Sequence, residues 1–120
     1  MARPSHVRDA IAELLEQSER HDWTIEDVGA ALQIDGLTAD YSSVFRALAR
    51  LEEEGRIRRV QLGDGKAHFE GMRQHHEHVR CDGCGTIDEV PGCAVRKPES
   101  SFLITGHQLL FSGLCPRCRP

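Results

Sequence analysis

Two Cys-x-x-Cys pairs, Cys81-Asp82-Gly83-Cys84 and Cys115-Pro116-Arg117-Cys118, stand 30 residues apart in a chain of 120 and constrain it more than any other feature. Each pair can turn two thiolates onto one metal, and two pairs complete the tetrahedral four-cysteine set of a structural zinc. A metal closing so long a loop ties the C-terminus to the start of its own domain. The rival reading, a redox dithiol, is weakened by the presence of two pairs and by the lack of a Trp or Pro pattern around the first. No apolar run approaches the roughly 18 to 20 residues of a membrane span, and Met1 to Ser5 lack the apolar region of a signal peptide. A cytoplasmic protein without a membrane partner is therefore expected, and in that reducing compartment paired cysteines read as metal ligands rather than disulfides. The fifth cysteine, Cys93, has no sequence partner and reads as a small buried or idle thiol.

Composition changes near Gly71. Residues 1 to 72 hold nine Lys or Arg against fourteen Asp or Glu, while residues 73 to 120 hold six against five, all five cysteines and four of the seven histidines. Two domains, 1–71 and 72–120, are expected. A net charge of −4 argues against coating nucleic acid by bulk electrostatics. Yet Arg46, Arg50, Arg56, Arg58, Arg59 and Lys66 crowd one short stretch, which leaves a local basic surface.

In the first half, Ser5 is a candidate cap for a helix of about fourteen residues with Val7, Ala10, Ile11, Leu14 and Leu15 on one face. Thr24 and Asp27 resemble a capping box opening a short helix through Val28, Ala31 and Leu32, stopping near Asp35-Gly36. Asp40 caps a third, with Val44, Ala47, Leu48 and Leu51 inward and Gly55 at its C-terminal cap. Ser42, Ser43, Phe45, Arg46, Ala49 and Arg50 are left for its outer face. Ile57 to Leu62 and Ala67 to Glu70 flank Gly63-Asp64-Gly65 as a hairpin. Three helices and a hairpin make a winged helix, whose third helix would enter the major groove while arginines such as Arg58 and Arg59 reach phosphates. A solvated charged face is the plainer alternative, since Glu52, Glu53 and Glu54 follow Arg50.

His75-His76-Glu77-His78 precedes the first cysteine pair. In an extended segment His76 and His78 face one side, His75 and Glu77 the other, so the segment can serve two sites. His107, beside the apolar Leu109-Leu110-Phe111, reads by itself as an ordinary surface or core histidine. Val79 to Arg80, Thr86 to Val90, Phe102 to Ile104 and Gln108 to Ser112 are expected to form a small antiparallel sheet. Pro91 and Pro98 oppose helix between Glu89 and Phe102.

The sequence resembles the ferric uptake regulator family of metal-responsive, dimeric repressors. Ser43-Val44-Phe45-Arg46-Ala47-Leu48 is similar to its recognition-helix motif Thr-Val-Tyr-Arg-x-Leu, and Glu54-Gly55-Arg56-Ile57 to the turn into its wing. His75 through Gly85 is similar to its signature His-His-x-His-x-x-Cys-x-x-Cys-Gly, and His107 with Gly113-Leu114-Cys115-Pro116-Arg117-Cys118 to its closing strand and second cysteine pair. The resemblance implies an α+β chain: an N-terminal winged helix-turn-helix domain, then a small α/β dimerisation domain with a four-cysteine zinc site. It implies structural Zn2+ at Cys81, Cys84, Cys115 and Cys118. A regulatory site at the hinge would use His76, His78, Glu70 and either Asp22 or His21. A third site would use His75, Glu77, His107 and Glu99. Two departures stand out: Ser5-His6-Val7-Arg8 resembles the Thr-Pro-x-Arg that follows a first helix absent here, and the usual long helix of the second domain is suppressed by its prolines.

The expected protein is thus a metal-dependent repressor, not an enzyme. It would bind a palindromic double-stranded DNA operator as a homodimer through Arg8, Ser42, Ser43, Phe45, Arg46, Arg50, Arg58 and Arg59, its two sheets meeting edge to edge, with no small-molecule substrate. Iron leads among the regulatory metals, with Zn2+, Mn2+, Ni2+ or iron-mediated peroxide sensing as alternatives. The competing classes are a zinc-stabilised interaction module without DNA binding and a metalloenzyme with an open coordination position.

Overall fold

A computed structural model of the chain describes residues 3–72, 74–93 and 95–120, which fall into two units, Met1–Met72 and Arg73–Pro120. The first unit holds helices α1 (Pro4–Gln17), α2 (Ile25–Ile34) and α3 (Tyr41–Glu53), then strands β1 (Ile57–Val60) and β2 (His68–Gly71). Helix α1 starts one residue before the expected cap: Arg3 occupies the cap position without a side-chain bond, and Pro4 opens the helix. Proline suits this place because its fixed φ is helical and its missing N–H would have had no partner. Thr24 and Asp27 form the expected capping box on α2. Asp40 accepts a hydrogen bond from the Ser43 N–H at 2.7 Å to cap α3. At the other end of α3, Gly55 takes φ 74°, open to residues without a Cβ. The Arg56 N–H can then return to the Leu51 carbonyl at 2.9 Å.

The apolar faces of the three helices meet in one core with Val28, Leu32, Val44, Leu48, Leu51, Ile57 and Phe69 at its centre. Each such side chain contributes about 1.5–3 kcal/mol when fully buried. Strands β1 and β2 pair antiparallel from Ile57 opposite Gly71 to Val60 opposite His68, forming the wing. Trp23 and Phe69 exchange two backbone hydrogen bonds, 3.1 and 2.8 Å, which fasten the segment before α2 alongside β2. The result is a winged helix-turn-helix.

The second unit holds β3 (His76–Cys81), β4 (Ile87–Pro91) and β5 (Leu110–Gly113) in the order β4-β3-β5. Two expectations are corrected here. Phe102 to Ile104 is not a strand, and β5 runs parallel to β3 rather than antiparallel. The reason lies in the metal ligands: Cys81 closes β3 and Cys115 follows β5 by two residues. Adjacent strands that deliver their cysteines to one point must end at the same edge. A parallel pair needs a long crossover, which residues 92–109 supply. Among the described residues the second unit has no helix, and Phe102, Leu103 and Leu114 are exposed. So small a unit with so little apolar burial needs a metal or a partner to hold it.

Candidate metal centre

The turn after β3 and the turn after β5 bring together Cys81, Cys84, Cys115 and Cys118, whose sulfurs all lie within 4.8 Å of one another. Cys84 Sγ and Cys115 Sγ are 3.8 Å apart. Four sulfurs about 2.3 Å from a tetrahedral zinc have edges of about 3.8 Å, so the donor set and the spacing both fit Zn2+. Three backbone N–H groups donate to Cys81 Sγ: Cys115 at 3.3 Å, Cys84 at 3.4 Å and Gly83 at 3.3 Å. These bonds, that from Cys115 foremost, bring the Cys81 thiol down to about 6. Cys118, hydrogen-bonded to Cys115, Cys81 and Cys84, is pushed up to about 12. Sulfurs this close cannot all ionise without a cation among them. Gly83 belongs to the cradle, because a Cβ there would lie 2.9 Å from Cys118 Sγ.

The alternation expected along β3 is present. On one face His76 Nε2 and His78 Nε2 stand 3.2 Å apart, their rings edge to face. Two imidazoles bound to one metal at about 2.1 Å place their nitrogens at about 3.0–3.4 Å, so the spacing suits a shared ion. On the other face Glu77 Oε1 accepts from His75 Nε2 at 2.7 Å and from His107 Nε2 at 3.1 Å. Cys93 Sγ lies 3.7 Å from His107 Nε2. The expected fourth member, Glu99, is exposed and does not join this cluster; Cys93, read from sequence as idle, does. The signal that could have found it is Pro91-Gly92-Cys93: Pro91 ends β4, which pairs with the strand carrying Glu77, and Gly92 at φ 82° turns the chain there.

In the first unit, His21 Nδ1 bonds Glu70 Oε2 at 2.5 Å. Arg58 Nε stands 3.3 Å from the other oxygen of that carboxylate, which is 1% exposed. The bridge between Trp23 and Phe69 produces this pairing, since it sets His21 beside the end of β2. Of the two candidates from the segment before α2, His21 is the one that reaches Glu70. The carboxylate of Asp22 is held instead by Arg20 Nε at 2.6 Å.

The outer face of α3 is polar and open. Arg8, Ser43, Phe45, Arg46 and Arg50 line one surface depression together with Glu53, and Phe45 is 47% exposed. Ser42 is exposed on the same helix. The wing arginines are differently placed: Arg58 lies against Glu70, and Arg59 bonds Glu52 at 3.2 Å with its guanidinium over the Phe69 ring. Among the described residues no helix is long and apolar enough to cross a membrane.

Comparison with known proteins gives these features a common setting. The model of the ferric uptake regulator family matches residues 2–110. The ferric uptake regulation protein of Legionella pneumophila is 29% identical over 119 residues, spanning 93% of this chain and 88% of its own length. The ferric uptake regulator of Francisella tularensis, solved with iron, aligns at a TM-score of 0.72 and 24% identity, covering 100% of this chain and 94% of the other. That of Helicobacter pylori, whose structure reveals three functional metal binding sites, aligns at 0.75 and 23% identity, covering 97% and 84%. The family match runs from α1 to the first residue of β5, through α3, the wing and the histidine strand; the chain belongs to the ferric uptake regulator family.

Proposed function

We propose that this chain is a metal-dependent transcriptional repressor that binds a palindromic double-stranded DNA operator as a homodimer. The observation that supports this reading is a close pair of metal-donor side chains in each unit. The wing side offers His21 and Glu70, 2.5 Å apart, and the sheet side offers His76 and His78, 3.2 Å apart. A divalent metal bound by all four would favour one arrangement of the two units over others, and so one spacing of the two recognition helices in a dimer. Control of this kind draws only on the difference in metal affinity between arrangements, about 1–3 kcal/mol in typical couplings.

The remaining roles fall to this chain's own residues. Arg46 and Phe45 meet base edges, while Arg8, Arg50 and Ser43 position the helix on phosphates. Arg58 balances the buried charge of Glu70, so its role is to hold the ligand rather than to reach DNA. Nitrogen and oxygen donors, with Glu70 rather than a thiol at the wing, suit iron first and manganese, nickel or zinc after it. The dimer is supported by the exposed Phe102 and Leu103 and by the edges that β4 and β5 leave open.

The test is a gel shift on operator fragments with and without chelator, run beside light scattering. Wild type should shift DNA only with metal and should scatter as twice 13.4 kDa. His76→Ala should remain a dimer but lose the response to metal, and Arg46→Ala should weaken operator binding by about 1–3 kcal/mol at fixed salt. Metal-independent binding by the wild type, or a wild-type metal response in His76→Ala, would overturn the hinge assignment.

A further inference from the structure

A buried carboxylate in the second unit is left partly unsatisfied. Glu77 is 1% exposed; its Oε1 takes both His75 and His107, while its Oε2 has no hydrogen-bond partner. Burying a charged oxygen without a partner is costly, and the cost disappears when a cation sits beside it. Three donors to metals stand beside this carboxylate, His75 Nε2, His107 Nε2 and Cys93 Sγ, with one ligand atom from each of the four within 4.8 Å of the others. The rings of His75 and His107 meet edge to face with centroids 4.9 Å apart, so both nitrogens converge on the same oxygen. Cys93 is exposed and follows the end of β4 by two residues. None of the four belongs to the four-cysteine knuckle or to the face of β3 that carries His76 and His78.

We propose that Cys93 is a metal ligand, and that His75, Glu77, Cys93 and His107 form a thiolate-bearing site selective for zinc and other thiophilic divalent ions over manganese or iron. Two imidazoles, one carboxylate and one thiolate satisfy the four positions of tetrahedral zinc. The thiolate is the soft donor that separates this set from an all nitrogen and oxygen site, which hard ions accept equally well. Binding releases the Cys93 proton to solvent and joins the sulfur to the metal without any redox step. The site lies wholly within the second unit, so it stands whether or not the hinge reading holds.

The experiment adds cobalt(II) to protein already carrying one zinc per chain and records absorption in the near ultraviolet, where thiolate-to-cobalt charge transfer appears. Nitrogen and oxygen sites give no such band, so cobalt at the hinge does not contribute. Wild type should gain the band, and Cys93→Ser should lack it while keeping its zinc and its fold, since the residue is exposed. Zinc should also slow alkylation of Cys93 in the wild type by at least about tenfold, the low end of what even an outer-shell partner contributes to a site, and should not protect it in His107→Ala. An equal band in Cys93→Ser, no band in the wild type, or alkylation indifferent to zinc would each overturn the assignment.

Discussion

Gly83→Ala is a small change that should be felt at the zinc. In the first knuckle a Cβ at position 83 would lie 2.9 Å from Cys118 Sγ and 3.0 Å from Cys118 Cβ. Ordinary contacts begin at about 3.5 Å, so the two must part by about 0.6 Å. Metal–ligand distances tolerate only about 0.2 Å, and the shift is therefore some three times what the tetrahedron can absorb. Either Cys118 leaves the metal or the first knuckle moves off it. Zinc affinity should fall by about 10–100-fold, the range seen when even supporting groups around a metal are lost. Gly85→Ala is the control: its φ of 78° strains any side chain, but nothing lies within 4 Å of the added carbon. That strain costs about 1–2 kcal/mol without touching a ligand. Competition with a chromophoric chelator reads both variants on one scale. If Gly83→Ala holds zinc as tightly as Gly85→Ala, the close approach of the two knuckles is not what shapes the site.

Two further outcomes concern the first unit. Thr24→Ala removes half of the α2 capping box and should cost about 1 kcal/mol. Burial pushes the Asp27 carboxyl up, but the Thr24 N–H and hydroxyl and the Arg20 guanidinium outweigh it and hold the group below its ordinary 3.8. The stability it contributes is fully present above that value and fades as pH falls through the lowered one. In Thr24→Ala the Asp27 titration followed by NMR should move upward, and an unmoved titration would sink the capping account. Gly71→Ala would set a Cβ 2.5 Å from the Leu15 carbonyl oxygen, on the backbone of α1. It should cost about 1–3 kcal/mol as overpacking does. Denaturation followed by the fluorescence of Trp23, the single tryptophan, checks this, and wild-type stability would refute it.

Much of the fold was legible because its signals are local. The period of Val44, Ala47, Leu48 and Leu51, the caps at Thr24 and Asp40, and the glycines flanking Asp64 each act within a few residues, so pattern alone locates the helices and the wing. The site of four cysteines was legible for a different reason: thiol chemistry at fixed spacing leaves few other uses. Ser5 misled as a cap because proline can open a helix without a side-chain bond, an option invisible in a search for hydroxyl caps. The direction of β5 was implicit in the two cysteine pairs, but strand composition carries no sign of parallel or antiparallel pairing.

What the sequence by itself determined was the set of donors and the elements that carry them: four thiols in two knuckles, and histidines alternating across one strand. Only the tertiary structure decided which of the other donors lie side by side. It set His21 rather than Asp22 beside Glu70, because a two-bond bridge between Trp23 and Phe69 places His21 there, while Arg20 holds the Asp22 carboxylate. It put Cys93 with His107, 14 residues further on, because the chain turns after Pro91 and returns as β5 alongside β3. Alternation along a strand follows from backbone geometry and needs no partner. Which side chain from a distant loop completes a site depends on loop closure and packing, and those are properties of the whole folded unit.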